Sequence, residues 1–489
     1  MPLSQTPDIK SYVPLVISDS PLPLTSSSHL EPVTNSKTGE TVHYYASASV
    51  SDCDAACSAA WDAFTTWKRA GVAKRRELLM RVADLFEQRK EQLVRTQMKE
   101  TSCEEHWAGM NVSLAVAYIR EIAACVSSIR GTIPPNDKPD TMSFVYKEPI
   151  GPVLIIPPWN AALILATRAI TSAIGAGCTA VLKASELSPL THTLIVDIYR
   201  AAGLPPGCLN SLQASRKDAA EITERLIANE RIRKVEFIGS AAVGRIIGAT
   251  AARYLKPVLM ELGGKCPAIV LDDADLGKAA GMCATGALVH HGQICFSTER
   301  IIVQRSVAEK FTELLKSKVA EMPGGTAVHE GIAQHALEVL QDAKDKNARF
   351  IVGEPEMAGK NAVKPAIVEV DPKADKDELR IVDEETFGPS ASLTWRGVSR
   401  WVVNWNTDRS TSIGSACIRV RRAPKEVSRV VAGADRTPFG GWKNSLSNGQ
   451  SPIMAKIADE IRDLHELSMS YLQEELSFDL PGKVMDPGR

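Results

Sequence analysis

The spacing of apolar residues changes character twice along the chain. Residues 1–50 carry short runs broken by turn residues. Tyr12 to Ser18 reads as a strand, Pro21 and Pro23 interrupt, and Asn35-Ser36-Lys37-Thr38-Gly39 reads as a turn. From Asp52 the period becomes helical. Asp52 or Asp54 can cap a helix whose apolar face includes Ala56, Ala59, Ala60, Ala63 and Phe64. Leu78, Leu79, Val82, Leu85, Phe86 and Leu93 keep helical spacing between Lys74 and Glu100, and a third helix is expected from Glu104 to Ser127. Pro134-Pro135 ends this set, and Thr141 to Lys147 is expected as a strand.

Strand–turn–helix units follow. Val153-Leu154-Ile155-Ile156 is a short buried-type strand that meets Pro157-Pro158-Trp159-Asn160, with a helix expected from Ala161 to Ala176. Thr179 to Lys183 is the next strand, with a helix opening near Ser188-Pro189. Gly203 to Gly207 turns into another strand, and Lys217 to Ala228 is helical. Lys234 to Ile238 then runs into Gly239-Ser240-Ala241-Ala242-Val243-Gly244 and a helix to Arg253. This alternation predicts a parallel sheet covered by helices on both faces. Beyond Pro257 a second set has strands near Ala268 to Leu271 and Arg300 to Val303, with helices near Leu276 to His290, Ser306 to Val319 and Gly331 to Lys346. Asp383 to Pro389 and Arg436 to Lys443 read as turns.

Composition narrows the field. A chain of 489 residues is too long for one core, so two or three domains are expected. With 44% hydrophobic residues, 24% charged residues and a net charge of −1, nothing electrostatic favours nucleic acid or an anionic membrane. The ten cysteines are scattered without a CxxC pair, so neither a zinc site nor a disulfide framework is indicated, and a reducing cytoplasmic setting fits. No basic segment leads into an apolar core at the N-terminus, and no apolar run approaches the about 20 residues of a spanning helix.

One cysteine stands apart. Cys295 follows Gly292-Gln293-Ile294 and precedes the β-rich run Arg300 to Val303, so it sits in a turn that a substrate can reach. Upstream, Glu261 stands before Gly263-Gly264, where backbone can approach a ligand closely. A thiol and a carboxylate suggest a nucleophile and a general base. The alternative is a core cysteine and a surface glutamate. His290 and His291 also invite a Cys–His hydrolase reading, against which stands their place at a helix C-terminus.

Seven stretches, in order over roughly residues 30–475, resemble the aldehyde dehydrogenase superfamily. They are Pro158-Trp159-Asn160, Leu182 to Glu186, Phe237 to Ser240 with Gly244, Glu261 to Lys265, Gly292 to Cys295, Glu384 to Pro389 and Pro438 to Gly441. Ser127 to Pro134, Val145 to Pro149 and Ser297 to Val303 resemble its salicylaldehyde, benzaldehyde and vanillin dehydrogenase branch. The resemblance implies an α/β fold. It has a Rossmann-type parallel-sheet cofactor domain (residues 1–127 and 150–258) and an α/β catalytic domain (259–465). A small β oligomerisation element (128–149 with 466–489) would build a homodimer or homotetramer.

It also implies NAD-dependent oxidation of an aldehyde, here an aromatic one, to the acid. Cys295 would add to the aldehyde carbon, Asn160 would donate to the resulting oxyanion, and Glu261 would activate water against the thioester. Read alone, Asn160 fits a helix N-cap before Ala161 better; beside the other motifs the oxyanion role is preferred. The implied cofactor contacts are Ile156, Pro157, Trp159, Lys183, Ser185, Glu186, Gly239, Ser240, Val243, Gly244, Leu262, Glu385 and Phe387. Glu186 would accept from ribose hydroxyls and repel a 2′-phosphate, favouring NAD; Lys183 leaves NADP open. Arg168, about two helical turns after Asn160, is a candidate for a ring hydroxyl or carboxylate, with a surface salt bridge as the alternative. Trp107 and Met110 are candidates for an aromatic-accepting wall; no metal site is expected.

The match departs after Lys443, where Asn444 to Gln450 replace the usual continuation. Val430 to Arg436 and Glu321 to Glu330 look short, and Trp405 to Ser410 is a loose version of the usual loop. Three other functions remain open on sequence: a CoA-acylating dehydrogenase, which would not need Glu261; a cofactor-independent thiol esterase or hydrolase; and a non-catalytic oligomeric protein on this fold.

Overall fold

The computed structural model describes residues 12–24, 29–371 and 379–396. The expected turn at Arg436 to Lys443, the segments Trp405 to Ser410 and Val430 to Arg436, Cys417 and the C-terminal strand of the oligomerisation element lie outside these residues.

Five strands of a seven-stranded sheet run parallel from one edge inward: Val258–Leu262, Lys234–Gly239, Val153–Ile156, Ala180–Lys183 and Leu209–Leu212, in that spatial order. Numbered along the chain and read from Leu209–Leu212, this is the order 3-2-1-4-5 of a dinucleotide-binding sheet. Val153–Ile156 and Ala180–Lys183 are buried at every position. Uninterrupted apolar runs of this kind belong to parallel strands covered on both faces. Helices Val72–Gln88, Glu105–Cys125, Ala162–Gly175 and Pro189–Ala201 share one apolar core with the sheet, and Val50–Trp67, Ala219–Ala228 and Ala241–Arg253 contribute to the other. Because the sheet takes in Val258–Leu262, its last strand crosses the expected division at residues 258/259.

Through Gly263 to Cys266 the chain passes to a five-stranded sheet. Pro267–Val270, Arg300–Gln304, Ser390–Arg396 and Ala366–Glu369 run parallel, and Arg349–Val352 closes the edge antiparallel. Helices Leu276–Leu288 and Ala308–Ala320 pack on it.

Several local expectations change. The helix Val50–Trp67 is capped by Ser49 and not by Asp52 or Asp54; Asp52 instead accepts from the Ser49 amide and closes a capping box. The expected helix Lys74 to Glu100 is two helices, Val72–Gln88 and Lys90–Thr101, broken at Arg89 (φ −99°, ψ 14°). Both halves pack chiefly on Glu105–Cys125, so the apolar spacing continues across the break and does not record it. Pro14 splits the expected strand Tyr12 to Ser18: Tyr12–Val13 joins the three-stranded N-terminal sheet, and Val16–Ile17 joins the seven-stranded one.

Thr141 to Lys147 is not a strand. A single bridge pairs Thr132 with Val145, and Met142, Phe144 and Tyr146 are exposed. Glu105–Ser128 does reach the length and mean hydropathy (24 residues, 1.3) of a spanning segment, contrary to the sequence expectation. Its apolar face packs against Val72–Gln88 and Ala162–Gly175, which makes it a core helix.

Candidate active site

The loop carrying Cys295 has a forced geometry. The preceding helix stops at Leu288, short of the expected His290. His290 (φ 54°), His291 (φ 59°) and Gly292 (φ 71°) then all take left-handed conformations. A side chain at Gly292 would collide with the Gly388 carbonyl, so the loop must bring glycine there. Gln293 fastens the loop: its Nε2 donates to the carbonyls of His290 (2.9 Å) and Thr326 (3.1 Å), and its Oε1 accepts from the Val328 amide (2.9 Å). The result is a half-buried Cys295 whose carbonyl accepts from the Cys266 thiol at 3.6 Å. Cys266 lies five residues after Glu261, so this contact draws the end of the Glu261 strand to the Cys295 loop.

Burial holds the thiols of the other eight described cysteines above their ordinary range, Cys266 to about 12. Those thiols are poor nucleophiles at neutral pH.

Asn160 is not a helix cap. Ala161 occupies the cap position without a side-chain bond, and the Asn160 amide donates to the Gln293 carbonyl at 2.9 Å. The Asn160 carbonyl accepts from the Trp107 indole at 2.8 Å. The Trp107 ring stacks on His290 with centroids 5.3 Å apart, and Trp159 meets both His290 and Phe387 edge-on. Met110 is half-buried against the adjoining core. The two histidines serve this packing. Burial pushes His290 down to about 3 and His291 to about 4, and His291 Nδ1 is bonded to the Gly324 carbonyl at 2.6 Å. Both rings are therefore neutral, weak bases, which removes the support for a Cys–His hydrolase.

Glu261 stands at the carboxyl end of Val258–Leu262, and its Oε2 lies 2.7 Å from Nη2 of Arg168. The two side chains are 11% and 5% exposed, so the pair is not the surface salt bridge considered from sequence.

The remaining cofactor candidates follow the sheet. Ile156, Pro157, Lys183, Gly239, Ser240 and Leu262 sit at or just beyond the carboxyl ends of its strands, and the order reverses between Val153–Ile156 and Lys234–Gly239. That crevice is where doubly wound sheets bind dinucleotides. Ser240 caps Ala241–Arg253, its hydroxyl accepting from the Val243 amide at 3.3 Å, and Val243 is exposed at this helix N-terminus, a geometry suited to a diphosphate. Gly244 lets the helix close on Leu262, whose Cδ2 would be 2.6 Å from a Cβ there. Lys183 is buried and its ammonium is pushed down by that burial, with Glu186 opposing the shift. Ser185 Oγ accepts from the Leu187 amide at 3.2 Å.

Glu385 reaches over Gly263, where any side chain would strike its carboxylate. Burial, reinforced by the charge of Glu299 and opposed by Lys265, raises its pKa to about 7. Lys265 donates to Glu299 and to Thr386 Oγ1 (2.9 Å), while Glu299 accepts from the Thr386 amide (2.8 Å) and the Phe387 amide (3.1 Å). Arg300 Nη2 pairs with Asp383 at 3.1 Å. Glu299 and Arg300 thus anchor the Asp383 to Phe387 turn separately, Glu299 together with Lys265 of the Glu261 to Lys265 motif.

The aldehyde dehydrogenase family profile matches residues 24–395. The chain belongs to the aldehyde dehydrogenase family. Members of the family are oxidoreductases that use NAD or NADP. A vanillin dehydrogenase of Pseudomonas sp. (strain HR199 / DSM 7063) is 39% identical over 457 residues, covering 89% of this chain and 93% of the relative. A salicylaldehyde dehydrogenase of Pseudomonas putida is 35% identical over 460 residues, covering 88% and 93%. The crystal structure of a salicylaldehyde dehydrogenase from Pseudomonas putida G7 with salicylaldehyde superposes with a TM-score of 0.79 at 34% identity, covering 83% of this chain and 85% of that one.

Proposed function

We propose that this aldehyde dehydrogenase oxidises an aromatic aldehyde to its carboxylic acid with NAD as the preferred cofactor. The observation that carries the reading is the bond from Asn160 to the Gln293 carbonyl, which sets an amide donor against the loop of Cys295. The aromatic preference is supported by the vanillin and salicylaldehyde dehydrogenase relatives and by the rings of Trp107 and Trp159 against His290, with Phe387 edge-on to Trp159.

In this mechanism the Cys295 thiolate adds to the aldehyde carbon and places negative charge on its oxygen. Asn160 has two amide hydrogens; one is held by Gln293 and the other can serve the oxyanion. The bound nicotinamide supplies the hydride acceptor, and a Cys295 thioester remains. Glu261 then takes a proton from water, whose oxygen adds to the thioester carbonyl, and Cys295 leaves as thiolate. Residues 128–149, with their exposed Ile133, Met142, Phe144 and Tyr146, act as the oligomerisation arm of a homo-oligomer.

The test is NADH formation at 340 nm with benzaldehyde, salicylaldehyde, vanillin and straight-chain aldehydes, each with NAD and with NADP. Reduction of NAD by the aromatic set, absent in Cys295→Ala, is the expected result. Equal turnover of straight-chain aldehydes would overturn the substrate assignment, and ester hydrolysis without cofactor as the sole activity would overturn the reaction.

A further inference from the structure

We propose that Arg168 is a positioning residue for deacylation: it holds the Glu261 carboxylate ionised and aimed for the attack of water on the thioester. The inference rests on the roles of Cys295 and Glu261 given above.

The geometry is specific. Nη2 of Arg168 lies 2.7 Å from Oε2 of Glu261, and both side chains are almost fully enclosed. Arg168 belongs to Ala162–Gly175, a helix with thirteen of its residues buried, so the guanidinium is presented from inside the protein. The same helix begins two residues after Asn160. The oxyanion donor and the partner of the base are therefore carried by one rigid element, about two turns apart.

The chemistry requires a partner of this kind. A carboxylate withdrawn from water tends to take up a proton and lose its basicity, because burial penalises the charged form. A guanidinium stays charged at any working pH and forks around a carboxylate, so it keeps the base ionised without itself taking part in proton transfer. In the step it supports, water gives a proton to Glu261, the water oxygen bonds to the thioester carbon, the C–S bond breaks, and the thiolate of Cys295 is restored. Arg168 touches none of the reacting atoms in this sequence. It acts through Glu261, which separates the proposal from direct contact with a ring substituent.

Rapid-mixing measurements of NADH formation separate the two halves of the reaction. They would use the full-length protein with NAD, benzaldehyde and 2-hydroxybenzaldehyde. Wild type, Arg168→Met, Arg168→Lys, Glu261→Gln and each double variant are compared. With Arg168→Met the first turnover, one NADH per active site, is retained, while the steady-state rate falls by roughly tenfold or more for both aldehydes. Arg168→Lys, which keeps the charge on a shorter and more flexible side chain, recovers part of that rate. In the Glu261→Gln background neither change at Arg168 slows the steady state further, because its effect passes through Glu261. If Arg168→Met does not fold, Arg168→Lys carries the same comparison: a burst with a slower steady state, lost in the Glu261→Gln background.

A raised KM for 2-hydroxybenzaldehyde alone, with kcat unchanged, would overturn the proposal in favour of substrate anchoring. An equal loss in the presence and absence of Glu261 would overturn it too. Absence of NADH from the wild type with every aldehyde would instead sink the dehydrogenase reading beneath it.

Discussion

The side-chain amide of Asn160 donates to the backbone carbonyl of Gln293, two residues before Cys295. The bond fixes the amide plane before any substrate arrives, and the Trp107 indole fixes the Asn160 backbone from the other side. Preorganised donors of this kind act without reorganisation as charge develops. Asn160→Ala is expected to lower kcat by about 10²- to 10³-fold with little change in thermal stability, measured by steady-state kinetics and a melting curve. A change confined to KM would show that the amide serves binding instead.

Glu385 gives the site a pH dependence whose sign can be worked out. Its carboxyl has a folded pKa of about 7, above the ordinary 4.5, through burial and then the charge of Glu299. Stability from this group is complete below the unfolded value and is lost as pH rises through about 7. The cofactor-free protein should therefore melt lower at pH 8 than at pH 5 by a margin that Glu385→Gln reduces. As the proposed cofactor contact, Glu385 accepts hydrogen bonds more strongly when ionised, so cofactor affinity should run the other way. The Kd for NAD should fall as pH rises through about 7 and then level, and Glu385→Gln should flatten the curve. Titration by quenching of protein fluorescence at several pH values would check both limbs. A wild-type profile as flat as that of the variant would remove Glu385 from the cofactor site.

Local pattern encoded the strand–turn–helix series because parallel strands such as Val153–Ile156 are uninterrupted apolar runs, and each ends at a recognisable turn. The same feature marked Asn160 and Ser240, since each follows such a strand, whereas Glu261 lies on the half-buried strand Val258–Leu262, which local pattern did not indicate, and stood out only by the Gly263-Gly264 that follows it. Pairings that bridge distant segments were not legible. Nothing near Arg168 signals Glu261, and nothing near Lys265 signals Glu299. The left-handed His290 and His291 also lack a local signal, because only Gly292 among them advertises that conformation. The break at Arg89 escaped because both halves carry apolar residues at helical spacing and pack on the same helix, Glu105–Cys125.

The Lys265–Glu299 pair is almost wholly buried, with side chains 3% and 1% exposed. Attraction between two such charges roughly offsets the cost of their desolvation, but removing one leaves the other uncompensated. Lys265→Met should therefore destabilise the protein by about 3–5 kcal/mol in denaturant titration. Adding Glu299→Gln to it should restore part of the loss. Because Glu299 also holds the Thr386 and Phe387 amides, the double variant should remain weaker in binding NAD even where its stability recovers. Full recovery of both would mean that the turn carrying Glu385 is held by its backbone alone.

The proposed preference for NAD rests on two side chains at the end of Ala180–Lys183 and just beyond it, Lys183 and Glu186. Lys183 is enclosed, and burial lowers its pKa while the neighbouring Glu186 carboxylate opposes that shift. An anion at Glu186 can accept from the ribose hydroxyls of NAD and repels the added phosphate of NADP. Replacing it by Gln removes the repulsion and leaves Lys183 to face a phosphate. The ratio of kcat/KM for NADP to that for NAD should rise in Glu186→Gln by roughly tenfold, the scale of about 1.4 kcal/mol. Lys183→Ala should weaken both cofactors, and NADP more once Glu186 is neutral. Initial rates with each cofactor for the wild type, the two single variants and the double variant decide the matter. An unchanged ratio in Glu186→Gln would place the selection outside this strand end, and a ratio that falls would mean Glu186 serves chiefly to keep Lys183 charged.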